Sequence, residues 1–124
     1  MQVITIPDQR YESYRRTPDW IQKHIFPGGL LPSRAILAEA MAMAGQRVER
    51  AESIGRHYVP TLRAWRERFN AQADDLRRMG FDDAFQRKWN YYFAYCEAGF
   101  ATGHIDDWQL AVSAPLDRQE PDVR

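Results

Sequence analysis

Several common signatures are missing from this sequence, and each gap excludes a class of protein. One cysteine in 124 residues provides neither a disulfide framework nor a thiolate metal cluster. Basic and acidic residues balance at 17 each, so there is no net charge to attract nucleic acid. No apolar run approaches the roughly 20 residues of a membrane-spanning helix, and no secretory leader is visible after Met1. We therefore expect a cytoplasmic protein that does not bind nucleic acid.

The motifs of common active sites are missing as well. His24, His57 and His104 lie far apart in the chain and lack the spacing of a metal site, so no metal is expected. The absence of GxGxxG, P-loop and GxSxG motifs excludes a recognisable phosphate-binding loop or nucleophile elbow. Neighbouring aspartates such as Asp106 and Asp107 are interpreted as helix caps and solvated surface, because adjacent side chains point to different faces.

Hydrophobic periodicity predicts an α/β fold over residues 1–115, followed by a polar tail over 116–124. Residues 8–23 are predicted to be a surface connection with one helical turn at 19–23. The three predicted strands, whose ranges are given next, would form a sheet with open hydrophobic edges. We therefore expect the chain to form the second half of a larger sheet. The other predicted elements are a strand at 2–6, a loop at 24–33, a helix at 33–44, a strand at 46–56, helices at 60–79 and 82–102, and a strand at 106–114.

The predicted helix 82–102 has an unusually wide aromatic face. Two interpretations remain open: an ordinary core, or the wall of a pocket for a long apolar ligand with tyrosine hydroxyls at its rim. Cys96 lies on the same face and is interpreted as a core residue, since no basic group is placed to activate it. The residues of this face are Phe85, Trp89, Tyr91, Tyr92, Phe93, Tyr95, Cys96 and Phe100.

Tyr58 lies where a predicted strand gives way to a helix. In open α/β sheets ligands collect at the ends of strands, and a phenol there can donate to an anion or take part in acid–base chemistry. The alternative is a tyrosine that only packs at the start of the helix.

Three stretches, in order, carry a family resemblance: HIFPGGLLPS (24–33), HYVPTLRAWRERF (57–69), and the block from Phe85 through YCEAGF to IDDWQ. They resemble the C-terminal part of cyclopropane-fatty-acyl-phospholipid synthases and their mycolic-acid relatives over about residues 2–114. The resemblance implies the C-terminal portion of a class I S-adenosylmethionine-dependent methyltransferase, with a Rossmann-like fold whose first half of the sheet is absent. Its three strands would be the fifth, sixth and seventh of seven.

The resemblance also implies a chemistry. The alkene of a phospholipid acyl chain attacks the methyl group of S-adenosylmethionine, the resulting carbocation loses a proton to bound bicarbonate, and the ring closes; related enzymes leave a methyl or hydroxyl branch. Tyr58 falls on the family's bicarbonate-binding tyrosine, and Ile4 on an isoleucine whose backbone binds the same ion. Gln2 falls where characterised members carry a histidine, and a glutamine can hydrogen-bond bicarbonate but cannot take up its proton.

On the lipid side, the resemblance makes the loop 24–33 a rigid apolar border of a lipid-binding cleft. Arg63, Arg66 and Arg68 either meet anionic headgroups or form a solvated helix face, so membrane contact is expected to be at most peripheral, at the inner membrane surface. The predicted lipid-binding residues are Phe26, Trp65, Phe69, Trp89, Tyr92, Phe93 and Tyr95.

The family's glycine-rich cofactor loop has no counterpart in this sequence, so the chain alone is expected neither to bind S-adenosylmethionine nor to catalyse. Two hypotheses follow. In the first, the chain is the lipid-side portion of a lipid methyltransferase, and a missing N-terminal half or self-association covers its open sheet edges. In the second, it is a standalone, non-catalytic remnant that binds acyl chains or a protein partner.

Overall fold

A three-stranded sheet with helices on both faces organises residues 1–113, the part of the chain that the computed structural model describes. The strand order is β1-β3-β2, and β3 is antiparallel to both neighbours. The predicted α/β fold is therefore confirmed, whereas residue 114 of the predicted last strand and the predicted polar tail lie outside the described residues. The elements are β1 (Gln2–Thr5), α1 (Asp8–Arg16), α2 (Trp20–His24), α3 (Arg34–Met43), β2 (Arg47–Ser53), α4 (Gly55–Ala71), α5 (Ala73–Arg78), α6 (Asp83–Ala101) and β3 (Asp106–Ser113).

Strand β1 has one paired edge and one open edge. Met1 and Leu110 exchange two hydrogen bonds, at 2.8 and 2.7 Å, so the backbone groups that hydrogen-bond to β3 belong to alternate residues starting at Met1. The backbone groups of Gln2 and Ile4 consequently point to the opposite edge, where the described residues place no strand. At the end of β1, Ile6 N–H donates to the Pro32 carbonyl at 3.0 Å, so the loop 24–33 covers this end of the edge.

The two faces of the sheet have different partners. On one face, the Arg34 guanidinium of α3 lies 4.0 Å from the centroid of the Trp108 ring. Side chains alternate along β3, so Asp107 lies on the other face, where α4 and α6 pack together. The core of this second layer is built from Leu62, Phe93, Cys96 and Phe100.

Helix α1 corrects the prediction of a surface connection over residues 8–23. No residue of α1 is buried, so the helix shows no apolar stripe from which sequence periodicity could identify it. Local pairs support it instead: Glu12 forms salt bridges with Arg15 and Arg16, both at 3.0 Å. Asp8 Oδ1 also accepts the Ala35 N–H at 2.9 Å, which ties the start of α1 to the start of α3.

The boundary between β2 and α4 also differs from the prediction. Strand β2 ends at Ser53 rather than 56, and α4 begins at Gly55 with Pro60 inside it, instead of starting at Pro60. The helix can start so close to β3 only because residue 55 is a glycine. A Cβ at this position would collide with Asp106 Oδ1 and lie 3.1 Å from the Asp107 nitrogen. The predicted helix 60–79 is two helices, since α4 ends at Ala71 and α5 follows.

Phe93 is a buried aromatic residue of this core that does not line the cavity described below, so its removal should weaken the fold alone. We expect Phe93→Ala to lower the free energy of unfolding by about 3–5 kcal/mol, because it removes a buried ring and leaves a cavity. Urea denaturation followed by circular dichroism measures the loss. Met43→Ala, at a side chain that is 84% exposed, is the control and should stay within about 0.5 kcal/mol of the wild type. Equal effects of the two substitutions would contradict this packing.

Candidate functional site

A cavity of about 520 Å³ lies between the loop 24–33, the α4–α6 layer and the end of β1. Most of the side chains around it are apolar or aromatic, which makes it a suitable site for an apolar ligand. Its rim also carries polar groups, among them Asp19, Tyr95 and His104. The principal apolar lining residues are Ile4, Ile6, Ile21, Phe26, Leu30, Leu31, Leu62, Trp65, Tyr92, Phe100 and Ile105.

Hydrogen bonds hold the loop 24–33 against this cavity. The Phe26 N–H donates to the Ile21 carbonyl at 2.9 Å, and the Gln22 amide donates to the Gly29 carbonyl at 2.7 Å. Gly28 takes the left-handed conformation, with φ of 81°, that the bend requires. The loop therefore presents Phe26 and Leu30 to the cavity on a fixed backbone, as a rigid apolar border would require.

The seven predicted lipid-binding residues divide into two groups. Phe26, Trp65, Tyr92 and Tyr95 line the cavity. The other three, Phe69, Trp89 and Phe93, are not among its lining residues; they pack on one another between α4 and α6, with ring centroids 5.7 to 6.4 Å apart. The sequence left two interpretations of the wide aromatic face of α6 open, a core or a pocket wall. In the structure one part of this face forms core and another part forms the cavity wall.

The three predicted catalytic residues meet at the sheet side of the cavity. Tyr58 and Ile4 line the cavity, and Gln2 Nε2 donates to the Tyr58 hydroxyl at 2.9 Å. Gln2 Nε2 also donates to Asp107 Oδ2 at 2.6 Å. An ionised carboxylate only accepts hydrogen bonds, so the amide nitrogen must face Asp107, and both of its hydrogens are then in use. We call Gln2, Tyr58 and Asp107 the polar cluster.

The polar cluster keeps Tyr58 protonated. Burial first, and then the adjacent Asp107 carboxylate, raise the pKa of Tyr58 above its ordinary value, while the hydrogen bond from Gln2 opposes this shift. The ring stacks on Phe100 with centroids 5.0 Å apart, which fixes its direction. Because the Tyr58 oxygen already accepts from Gln2, its own proton remains to be donated to another group.

Asp107 is the site residue that sequence reasoning missed. Interpreting the Asp106–Asp107 pair as caps and solvated surface was wrong for Asp107, whose exposed fraction is 0%. Among residues 1–113, its Oδ1 has no hydrogen-bond partner. Strand alternation alone places it on the face opposite Trp108, but its burial depends on pairing with Ile4, which no local pattern reveals.

Other charged and nucleophilic groups near the cavity have structural roles. Glu97 pairs with Arg63 at 2.8 Å and with Arg66 at 3.4 Å, which favours the solvated helix face over headgroup binding for these two arginines. Cys96 is buried in the core, as its sequence position indicates. At the cavity rim, burial and the neighbouring Arg10 lower the pKa of His104, so this imidazole stays neutral at pH 7.

The described part of the chain contains neither a metal-binding cluster nor a membrane-spanning helix. Within residues 1–113, no group of three or more His, Cys, Asp or Glu side chains could hold a metal ion. None of the helices in that range combines the length and hydropathy needed to cross a bilayer.

Comparison with known proteins places these residues in a family. Residues 1–110 match the family described as mycolic acid cyclopropane synthetase. Over 118 residues the chain is 49% identical to a tuberculostearic acid methyltransferase of Mycobacterium tuberculosis, and over 94 residues it is 34% identical to the cyclopropane-fatty-acyl-phospholipid synthase of Escherichia coli. These alignments cover 93% and 76% of this chain but only 28% and 24% of the relatives. The chain therefore spans about a quarter of the length of these two relatives.

Solved structures show the same relationship. A mycolic acid cyclopropane synthase complexed with SAH and CTAB superimposes with a TM-score of 0.76 at 27% identity, over 90% of this chain and 42% of that one. A cyclopropane synthase from Mycobacterium tuberculosis gives the same TM-score at 23% identity, which supports the fold alone. The sheet and helices described above thus correspond to less than half of a larger methyltransferase fold.

The raised pKa values of two cavity residues, Cys96 and Tyr92, predict how the stability of the protein depends on pH. Burial raises the pKa of Cys96 from 9.0 to about 11 and the pKa of Tyr92 from 10.0 to about 12. The folded protein holds both protons more tightly than the unfolded chain, so these groups contribute no pH dependence below pH 9 and a loss of stability above it. We expect the free energy of unfolding to fall between pH 9 and about 12 in urea titrations.

Two variants separate the contributions to this loss. Cys96→Ala should flatten the decline between pH 9 and about 11, and Tyr92→Phe should flatten it above pH 10. A stability that rises with pH over this interval would contradict the burial of these two groups.

Proposed function

Because the chain belongs to the mycolic acid cyclopropane synthetase family, we propose that it forms the acyl-chain side of an S-adenosylmethionine-dependent lipid methyltransferase. The family transfers a methyl or methylene group from S-adenosylmethionine. The proposed acceptor is the double bond of an unsaturated acyl chain carried by a phospholipid. The observation that carries the proposal is an apolar cavity with a hydroxyl donor, Tyr58, in its wall.

The cavity suits an acyl chain in size and in chemistry. Its volume of about 520 Å³ lies within the ordinary range of small-ligand sites, and its lining is largely hydrocarbon and aromatic. Methyl transfer to an alkene creates a carbocation, which water would quench, so the site has to exclude solvent. Tyr92, Tyr95 and Phe100 line the same cavity, and aromatic rings near a reacting carbon stabilise a positive charge on it.

S-adenosylmethionine supplies the methyl group in this proposal. One related structure was obtained with SAH bound, but this chain corresponds to only 42% of that protein. We propose that the cofactor is held mainly by residues outside this chain, so that the chain alone does not bind it. The residues described here then bind the acyl chain and exclude water from the reacting carbon.

Two members of the polar cluster, Gln2 and Asp107, do not fit the bicarbonate that the family resemblance implies. Both amide hydrogens of Gln2 are engaged, one by Tyr58 and one by Asp107, so Gln2 has no donor left for an anion. The buried Asp107 carboxylate also places a negative charge beside the position that the anion would occupy. The proposed chemistry of this chain therefore includes no step through bicarbonate.

The open edge of β1 is the proposed contact with the rest of the methyltransferase. The backbone groups of Gln2 and Ile4 point to this edge and are available to a further strand. A strand from the cofactor-binding part would satisfy them and close the side of the cavity that Ile4 lines. Membrane contact in this proposal is peripheral and serves only to reach the phospholipid acyl chain.

Binding of an acyl chain can be tested on this chain directly. We expect Phe26→Ala to weaken binding of a long-chain cis-unsaturated fatty acid roughly tenfold in isothermal titration calorimetry, because an apolar side chain is lost from the cavity border. Phe81→Ala is a matched control, since Phe81 is also exposed but does not line the cavity, and its affinity should equal that of the wild type. Equal losses in both variants would contradict binding in this cavity.

Catalysis should depend on Tyr58. The protein, purified at the length found in its source cells, is incubated with S-adenosylmethionine and unsaturated phospholipid, and methylated acyl chains are measured by mass spectrometry. Tyr58→Phe should reduce the rate by about 10²–10⁴, the range for loss of a group that moves a proton. Tyr91→Phe removes a hydroxyl outside the cavity and should leave the rate unchanged.

The second hypothesis predicts a different result in the same assay. A wild-type protein that binds fatty acid but transfers no methyl group would be a non-catalytic acyl-binding protein. That outcome would overturn the proposed methyltransferase activity, but it would not contradict the binding of fatty acid in the cavity measured by calorimetry.

A further inference from the structure

A buried carboxylate lies behind Tyr58, and nothing in the chemistry described so far uses it. Asp107 is fully buried, its Oδ2 accepts one hydrogen bond from Gln2 at 2.6 Å, and its Oδ1 has no partner among residues 1–113. Buried carboxylates are normally saturated with donors or paired with a cation. A buried carboxylate with one unpartnered oxygen has an acceptor site free for a proton.

The groups around Asp107 do not neutralise it. Ion pairs of the described residues all involve other carboxylates, so no basic side chain in that range pairs with Asp107. Its neighbour Asp106 is acidic as well, and that carboxylate is occupied by the hydroxyl of Ser53 and the backbone N–H of Gly55. From β1, the neighbouring side chains are Gln2 and Ile4, which do not titrate. From α4, the titratable neighbour is Tyr58.

Gln2 connects the carboxylate to the hydroxyl. One Nε2 atom lies 2.6 Å from Asp107 Oδ2 and 2.9 Å from the Tyr58 oxygen, so the amide keeps the two groups side by side. The Tyr58 oxygen has two lone pairs, of which Gln2 occupies one. The second lone pair can accept a proton while the hydroxyl proton leaves, and Tyr58 reaches the cavity that Asp107 does not.

We propose that Asp107 is the final proton acceptor of this site, reached through the hydroxyl of Tyr58. This inference rests on the proposed methyl transfer. When the acyl carbocation collapses, a C–H bond breaks and its electron pair forms the new carbon–carbon bond. The proton goes to the Tyr58 oxygen as the Tyr58 proton passes to the neighbouring Asp107 carboxylate. The cation and the carboxylate become a neutral product and a neutral carboxylic acid, Tyr58 is unchanged, and no further reactant is needed.

The decisive variant is Asp107→Asn, which keeps the size of the side chain and an acceptor for Gln2 but cannot take up the proton. In the full-length protein we expect kcat to fall at least 100-fold. The KM for the phospholipid should stay within about threefold, because Asp107 is not among the residues that line the cavity. An unchanged kcat would overturn the proposal.

A second substitution separates proton transfer from a merely structural role. Gln2→His in the Asp107→Asn background places an imidazole within reach of the Tyr58 hydroxyl, and this new base should restore kcat at least tenfold. Circular dichroism and urea denaturation should show the same fold in both variants. Loss of kcat in Asp107→Asn together with lost stability and no rescue by histidine would mean that Asp107 only supports the fold, and would overturn the proposal.

The ionisation of Tyr58 gives a readout that does not depend on activity. In ¹³C-tyrosine NMR titrations of the chain, Asp107→Asn should lower the pKa of Tyr58, because the neighbouring negative charge is removed. A pKa that does not move would overturn the proposal even if methyl transfer is confirmed. If instead the wild type transfers no methyl group while the pKa moves as expected, the arrangement of Asp107 and Tyr58 is right and the proposed function is wrong.

Discussion

The site depends on the close contact between the first turn of α4 and the start of β3. Gly55 N–H donates to Asp106 Oδ1 at 3.2 Å, and Ile54 N–H donates to the Asp107 carbonyl at 2.8 Å. Only glycine fits at position 55, because a Cβ would meet Asp106. Tyr58 follows one turn later and is thereby carried over Asp107 and Gln2. Without this contact, α4 would lie further from the sheet and the polar cluster would not form.

Helix α6 explains why the cavity can be both apolar and well ordered. One part of its aromatic face packs with Phe69 of α4 and forms a core, and another part, including Tyr92 and Phe100, faces the cavity. The side chains of the cavity wall therefore share one helix with a close-packed core, which holds that helix in place. The hydrogen-bonded loop 24–33 supplies the opposite border with the same rigidity.

Much of the fold and part of the site could be predicted from the sequence. Alternation and helical periodicity indicated the α/β class, and the family resemblance identified Gln2, Ile4 and Tyr58, which the structure brings to one side of the cavity. Periodicity shows which residues share a face but not what that face contacts, so Phe93 was assigned to lipid binding although it lies in the core. The burial of Asp107 arises from cross-strand register and could not be predicted from local sequence.

Strand β1 contributes to both the open edge of the sheet and the polar cluster. Its backbone presents an open edge through Gln2 and Ile4, while the side chain of Gln2 belongs to the polar cluster. A shift of one residue in the pairing of β1 would turn Gln2 to the opposite face of the sheet and separate it from Tyr58. The hydrogen bonds between Gln2, Tyr58 and Asp107 therefore depend on strand register: the polar cluster forms only when β1 pairs with β3 in the register described above.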